Sequence, residues 1–191
     1  MAGDHRRVAV VGGRGAGKSF LTFQLVGMSV SFTDEYSYPT EDSYRKLLSV
    51  DGVICDLDLF DPIACQEDFP YYHETLRATD GFLCIYSITS LSSFEEIASV
   101  REQILRAKEG DLLMVLVGTK CDLEEERQVT EEEGLSLAES FGCSFFETSA
   151  KDCVNVESPY SQLVREIRKH NEMKKGTSVR AQKKQEGCSL C

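Results

Sequence analysis

A glycine-rich segment close to the N-terminus has the residue types that bind phosphate. It reads Gly12-Gly13-Arg14-Gly15-Ala16-Gly17-Lys18-Ser19. Glycines let backbone N–H groups turn toward phosphate oxygens, and a helix that starts directly after such a loop adds partial positive charge. In this pattern Lys18 reaches the β- and γ-phosphates, and Ser19 is a ligand of Mg²⁺. We name residues 12–19 the phosphate loop and interpret them as a nucleotide site, rather than as a turn that binds nothing.

The phosphate loop stands between an apolar run and a helical pattern, and this alternation continues along the chain. Runs of strand length cover residues 8–11, 53–60, 82–88, 112–117 and 143–146, and the run 53–60 places Val53, Cys55, Leu57 and Leu59 on one face. Helical patterns cover residues 18–26, 91–107, 130–141 and 156–169, the third opening with a Thr130–Glu133 capping box. Near-continuous apolar runs suit strands that are buried on both faces of a parallel sheet. The sequence therefore predicts one three-layer α/β domain, residues 1–172, with a mainly parallel sheet.

Composition and charge exclude several classes of protein. The 191 residues are 41% hydrophobic and 28% charged, with a net charge of −11, as in a soluble one-domain protein. Residues 165–191 carry eight Lys/Arg against three Asp/Glu, or +5, which leaves −16 on the remainder. Because contacts with nucleic-acid phosphates need cations, this acidic body argues against DNA or RNA as a partner. The eight cysteines show no zinc spacing and follow no secretory signal, so we expect reduced thiols.

Two tetrapeptides further along the chain indicate guanine as the base. Thr119-Lys120-Cys121-Asp122 follows the run 112–117, and Thr148-Ser149-Ala150-Lys151 follows the run 143–146. With the phosphate loop before them, they resemble the motifs of the Ras family of small GTPases, and the resemblance covers nearly the whole chain. It implies that Asp122 accepts hydrogen bonds from the guanine N1–H and 2-amino group, a donor pair that adenine lacks on that edge. It also implies that Lys120 lies along the base plane and that the Ala150 N–H meets the guanine O6. The expected base contacts are Phe32, Thr119, Lys120, Asp122, Ser149, Ala150 and Lys151.

The resemblance also implies a fold, ligands and partners. The fold would be that of a P-loop GTPase, with a mainly parallel six-stranded sheet flanked by about five helices. The ligands would be GTP and GDP with Mg²⁺, and the reaction would be hydrolysis of GTP to GDP and phosphate. Expected partners are effectors, exchange factors and GTPase-activating proteins, and we expect a monomer. A phosphate-loop kinase of ATP is disfavoured by Asp122 and by residues 149–151.

Residues 32–46 resemble the family's switch I and effector segment. Phe32 matches an aromatic residue that packs on the base, and Thr40 matches the threonine that binds Mg²⁺ and senses the γ-phosphate. One residue is inserted before Pro39 and one is missing after Thr40, which leaves the register of Thr40 open. The expected effector-binding residues are Glu41, Asp42, Ser43, Tyr44 and Arg45. They form either an exposed strand edge that pairs with a partner's strand or an ordinary polar edge strand.

Residues 61–69 depart from the family's switch II pattern, Asp-x-x-Gly-Gln. Asp61 is placed to hold the Mg²⁺ shell through water, but the glycine is absent. Counting from Asp61 puts Ala64 at the glycine and Cys65 at the catalytic glutamine, whereas a shift of one residue puts Cys65 at the glycine and recovers Gln66. Both alignments stay open. A side chain at the glycine position is compatible with nucleotide binding, but it would slow the switch or misplace the attacking water.

Arg14 occupies a position at which most Ras-like proteins have glycine. A side chain there would point toward the γ-phosphate and obstruct an arginine finger from a partner, which is worth orders of magnitude in rate. Its guanidinium could instead approach the phosphates itself, or lie in solvent. Together with the altered switch II, Arg14 predicts slow hydrolysis, with Lys18, Arg14, Cys65 and Gln66 as the candidate catalytic residues. The alternative is a non-catalytic GTP-binding adaptor that is locked in one nucleotide state.

Residues 173–191 lose the apolar pattern and are predicted to form a flexible basic tail. The chain ends Cys188-Ser189-Leu190-Cys191, which resembles a prenylation box with Cys188 as the lipidated residue. The cations before it are Lys174, Lys175, Arg180, Lys183 and Lys184, each worth about 1 kcal/mol at an anionic membrane surface. The tail thus predicts anchoring at the cytoplasmic face of a membrane, most simply the plasma membrane. The alternative is a disordered basic tail with a CxxC pair, and because Cys191 is an atypical last residue, the choice of farnesyl or geranylgeranyl stays open.

Overall fold

In the part of the chain that the structure describes, six strands form one sheet, in the order β2-β3-β1-β4-β5-β6. The computed structural model describes residues 4–28, 43–60, 72–108 and 110–186. The strands are β1 (Asp4–Val11), β2 (Ser43–Val50), β3 (Val53–Phe60), β4 (Gly81–Ser87), β5 (Met114–Thr119) and β6 (Ser144–Thr148). Among these six strands, β2 pairs antiparallel with its hairpin partner β3, and the other pairs are parallel. The predicted α/β class and mainly parallel six-stranded sheet are confirmed.

Five helices of the described ranges cover the two faces of this sheet. They are α1 (Lys18–Val26), α2 (Tyr72–Arg77), α3 (Leu91–Ala107), α4 (Glu131–Phe141) and α5 (Ser158–Glu186). One apolar cluster joins alternate β1 residues, Val8 and Val10, to α1 and α5, and a second joins Ala9 and Val11 to α3 and α4. Because successive strand side chains point to opposite faces, a continuous apolar run such as 8–11 supplies both cores.

The helix ends follow from local capping chemistry. Thr130 caps α4 with its hydroxyl, which accepts from the Glu133 N–H at 3.2 Å, while the Glu133 carboxylate accepts from the Thr130 N–H at 2.8 Å. This reciprocal arrangement is the capping box that the sequence predicted. The helix ends at Gly142, whose φ of 68° is a left-handed conformation that glycine adopts without strain.

The structure departs from the sequence predictions at four places. Helix α2 and the second half of β2 were not predicted. Val53 is 54% exposed, unlike Cys55, Leu57 and Leu59, because it directly follows the Asp51-Gly52 turn at the end of the hairpin. Helix α5 continues to Glu186, beyond both the predicted helix 156–169 and the predicted tail boundary at residue 173.

The length of α5 has a simple chemical cause. Residues 173–186 contain four lysines, two glutamines, one arginine and one alanine, which have high helix propensity, and no proline. Residues 176–179, Gly-Thr-Ser-Val, have lower propensity. Apolar spacing does not predict a helix in such a stretch, since its sequence contains few apolar residues. Among the described residues, no helix combines the length and the apolar character that a membrane span requires.

Candidate nucleotide-binding site

The phosphate loop connects the end of β1 to the start of α1, and it is packed against the neighbouring strands. Gly12 has a φ of 146°, and a Cβ atom there would lie 1.9 Å from the carbonyl oxygen of Ile85 in β4. Gly17 has a φ of 87°, and its Cβ would lie 3.1 Å from the hydroxyl of Thr119 at the end of β5. Glycine is therefore required at both positions, for backbone conformation and for space.

Lys18 spans the phosphate loop with its side chain. Its Nζ donates hydrogen bonds to the carbonyl oxygens of Gly12 and Gly13, both at 3.0 Å. This places a positive charge beside the loop at the N-terminus of α1, where the helix dipole also favours an anion. Ser19 follows in the first turn of the same helix. The predicted phosphate-binding residues thus converge in one place.

Thr119 links the phosphate loop to the first base segment, which we define as residues 119–122. Its Oγ1 lies 2.5 Å from the carbonyl oxygen of Ala16 and 3.0 Å from that of Tyr86. A hydroxyl has one proton, so Thr119 donates to one of these oxygens at a time. The sequence assigned Thr119 to the base. In the structure its buried side chain, 4% exposed, contacts the phosphate loop at Ala16.

The second base segment, residues 148–151, lies beside the first. The Cys121 N–H donates to the Thr148 carbonyl at 3.1 Å, and the Ser149 hydroxyl donates to Asp122 Oδ1 at 2.6 Å. The Asp122 side chain is 8% exposed, and its Oδ2 lies 4.0 Å from Nζ of Lys151. Ser149 thus fixes one carboxylate oxygen of Asp122. This is how two segments almost thirty residues apart in sequence form one recognition surface.

Sharp backbone turns carry the remaining base residues. Lys120 adopts a φ of 63°, directly after β5, and so turns the chain away from the sheet. Ala150 is partly exposed and lies in the turn closed by the Ser149–Val154 bridge. The structure therefore brings all six described base residues to the same end of the sheet as the phosphate loop, at the carboxyl ends of β1, β5 and β6. Ligands bind at this end of open α/β sheets.

Several predicted site residues lie outside the described residues. They are Phe32, Thr40, Glu41, Asp42, Asp61, Ala64, Cys65, Gln66 and Cys188. Of the predicted effector segment, Ser43, Tyr44 and Arg45 open the edge strand β2. Ser43 and Arg45 are exposed, while Tyr44 packs edge-to-face on Phe23 with ring centroids 5.4 Å apart.

Arg14 is exposed and makes no hydrogen bond or ion pair with any residue that the structure describes. The next residue on its N-terminal side, Gly13, lies close to α3, because a Cβ atom there would be 2.3 Å from Oε2 of Glu96. The position of Glu96 beside the phosphate loop could not be predicted from the sequence, since no motif includes Glu96. Because Arg14 has no such contacts, its side chain contributes no hydrogen bond or ion pair to the described part of the fold.

Comparison with known proteins agrees with this geometry. The sequence model of the Ras family matches residues 7–169. The chain is also 48% identical over 166 residues to a protein described as "Ras-like protein" from Laccaria bicolor, an alignment that covers 86% of this chain and 78% of that protein. The chain belongs to the Ras family. As a member of this family of small GTPases, it binds GTP and GDP, and its activity is GTP hydrolysis in a signalling switch.

Proposed function

We propose that the chain is a membrane-anchored Ras-family switch that hydrolyses GTP slowly and binds its nucleotide with Mg²⁺ through the phosphate loop and the two base segments. The observation that supports this most is the connection between those parts. Thr119 joins the first base segment to the loop, and Ser149 joins the second base segment to Asp122. A nucleotide that spans the loop and the base segments would contact a single connected set of residues.

The proposed protein ligands of Mg²⁺ are Ser19, Thr40 and Asp61, and they suit this ion in combination with phosphate oxygens of the nucleotide. Within the described ranges, no three His, Cys, Asp or Glu side chains converge as a metal site. Ser19 offers a hydroxyl oxygen in the first turn of α1, and hard oxygen ligands of this kind, completed by phosphate oxygens, suit Mg²⁺. When bound, Mg²⁺ would neutralise phosphate charge.

Slow hydrolysis is proposed from Arg14. Arg14 is an exposed residue of the phosphate loop. Its guanidinium can therefore extend to the place where the γ-phosphate and a partner's arginine finger would lie. A second cation at that place would occupy the space needed to position the attacking water and an incoming finger. The competing function, an adaptor without turnover, is favoured by the same residue and by the substituted switch II.

Replacing Arg14 with glycine separates the two functions. We expect the single-turnover rate constant of Arg14→Gly to exceed that of the wild type by about tenfold, which corresponds to about 1.4 kcal/mol in the barrier. The measurement is phosphate release from preloaded GTP. Arg106→Ala is the matched control because Arg106 lies in the last turn of α3, 70% exposed, with only Glu102 as its ion-pair partner in the described chain. Absence of turnover in both the wild type and Arg14→Gly would defeat the enzyme and leave the adaptor.

Membrane anchoring is proposed from Cys188 and the cations before it. A single lipid chain binds a membrane weakly, and basic residues near an anionic leaflet supply the second attraction. These two signals favour the cytoplasmic face of a membrane, with the plasma membrane as the proposed location.

Changing Cys188 to serine should release the protein from membranes. In cells that carry out prenylation, we expect the membrane-bound fraction to fall about tenfold or more, since the anchor is lost and the cations alone hold weakly. Cell fractionation measures this. Cys153→Ser is the control, because Cys153 is an exposed cysteine in the folded body. Equal membrane fractions for Cys188→Ser and the wild type would refute the lipid anchor.

Partners follow the family in outline. Ras-family proteins generally interact with effectors, exchange factors and GTPase-activating proteins. We propose β2 as the effector edge, because it is the terminal strand of the sheet and carries Ser43 and Arg45 exposed at its start. An unpaired strand edge offers backbone groups for pairing with another chain.

A further inference from the structure

Arg127 uses its whole guanidinium to connect two carboxylates. It follows the short 3₁₀ turn Glu124–Glu126, which begins two residues after Asp122, the last residue of the first base segment. Its Nη1 and Nη2 donate to the two oxygens of Glu147 at 2.7 and 2.8 Å, and its Nε donates to Glu124 at 2.9 Å. Nη1 also donates to the Val129 carbonyl at 3.0 Å. Such bidentate geometry fixes both direction and distance.

Glu147 stands immediately before the second base segment. It lies on β6 opposite Gly118 of β5, one residue from Thr148. Its carbonyl oxygen accepts from Asn155 Nδ2 at 3.0 Å, which ties it to the far side of the turn that contains Ala150 and Lys151. The Glu147 side chain is 15% exposed and that of Arg127 is 16% exposed, so the pair is largely shielded from water.

These contacts close a ring around the base-recognition residues. One end of the ring is the Cys121–Thr148 backbone bond together with the Ser149–Asp122 bond, and the other end is the Arg127–Glu147 pair. We call this pair the base clasp. The base clasp joins residue 127, five residues after Asp122, to Glu147, two residues before Ser149. Without the base clasp, the Cys121–Thr148 and Ser149–Asp122 bonds would still connect the two base segments, but the other end of the ring would be open.

We propose that Arg127, through the base clasp, is a positioning residue for guanine recognition, because it holds Asp122 in the orientation that accepts two hydrogen bonds from the base. This inference rests on the guanine-binding role of Asp122 in the proposed function. Arg127 itself need not contact the nucleotide.

A second arginine–carboxylate pair of the chain provides a matched comparison. Arg165 donates bidentately to Asp51, with Nε at 2.9 Å and Nη2 at 2.8 Å, but these side chains are 45% and 59% exposed. The pair connects α5 to the β2–β3 turn, away from both base segments. Removing one partner of a shielded pair leaves an uncompensated charge, whereas exposed pairs contribute little. The two pairs therefore share geometry and differ in location and burial.

The test measures the preference for GDP over IDP, the diphosphate of inosine. IDP lacks the 2-amino group, so the dissociation constant of IDP divided by that of GDP reports on the second hydrogen bond to Asp122. We expect Arg127→Met to lower this ratio about tenfold, the value of one hydrogen bond to a charged acceptor. Arg165→Met should leave the ratio within about twofold of the wild type, since an exposed pair far from the base is worth little.

A double variant separates positioning from general stability. Arg127→Met/Glu147→Gln removes the unpaired carboxylate, so thermal stability should recover relative to Arg127→Met. The preference for GDP over IDP should stay as low as in Arg127→Met. A ratio that recovers together with stability, or an unchanged ratio in Arg127→Met, would overturn the positioning role. Asp122→Ala is measured alongside: if it keeps the wild-type preference, the proposed guanine recognition itself has failed. If Asp122→Ala loses the preference and Arg127→Met does not, only the base clasp is refuted.

Discussion

Asp122→Asn is expected to change the preferred base from guanine to xanthine. A carboxylate accepts from both the N1–H and the 2-amino group of guanine, whereas an amide offers one acceptor and one donor. Xanthine carries a carbonyl in place of the 2-amino group and so matches the amide. Because the Ser149 hydroxyl donates to Oδ1 at 2.6 Å, the asparagine oxygen is held at that position and its NH₂ group takes the place of Oδ2.

The expected size of this change is large. Asp122→Asn loses a charge-assisted hydrogen bond, and its NH₂ group faces a donor N–H of guanine and repels it. We therefore expect GDP to bind at least about a hundredfold more weakly. Competition between GDP and XDP, the diphosphate of xanthosine, measures it directly. Asp152→Asn serves as the control, because Asp152 lies exposed in the next turn and only its backbone N–H bonds to Ser149. Guanine selectivity that survives Asp122→Asn would place base recognition elsewhere.

Lys18→Met should remove most of the affinity for both GDP and GTP. The methionine retains the length of the apolar stem but not the charge that lies beside the carbonyls of Gly12 and Gly13. Charge-assisted contacts with two phosphates are each worth about 1.5–3 kcal/mol, so we expect at least a loss of about a hundredfold. Fluorescent GDP and GTP analogues titrated against the purified protein provide the dissociation constants.

A second lysine tests whether this loss is specific. Lys108 is also partly buried, donates to the backbone carbonyl of Thr79 and lies over the Phe82 ring, 5.5 Å from its centroid. Burial lowers the pKa of its ammonium group, so it resembles Lys18 in being a shielded lysine held by backbone. Lys108→Met should lower thermal stability and leave nucleotide affinity within about threefold, since a lost structural hydrogen bond costs about 1 kcal/mol. Equal affinity losses in the two variants would indicate unfolding rather than a phosphate site.

Local patterns explain why much of the fold could be predicted. Strand runs such as 82–88 depend on burial of neighbouring residues, and the capping box of Thr130 and Glu133 closes within one turn. Both are interactions over short sequence separation. Helix α5 shows the limit of the apolar pattern, because the helix continues to Glu186 through a stretch whose sequence has little apolar periodicity.

Contacts across the sheet could not be predicted in this way. The Thr119 hydroxyl contacts the Ala16 carbonyl, 103 residues away in sequence. Glu96, on α3, lies close to Gly13 in the phosphate loop. Arg127 and Glu147 are ordinary surface types whose pairing has no motif, since arginines and glutamates are common throughout the chain. The partners become visible only when strand order and register place them together.

The sequence by itself determined that the chain binds a guanine nucleotide, because phosphate and base recognition reside in short contiguous segments whose residue types carry the chemistry. It also identified Arg14 as the unusual residue of the phosphate loop. The tertiary structure decided how those segments become one site. Parallel pairing of β1, β4, β5 and β6 brings their carboxyl ends to one edge, and there Thr119, Ser149 and the base clasp fix the distances between segments that the chain leaves far apart.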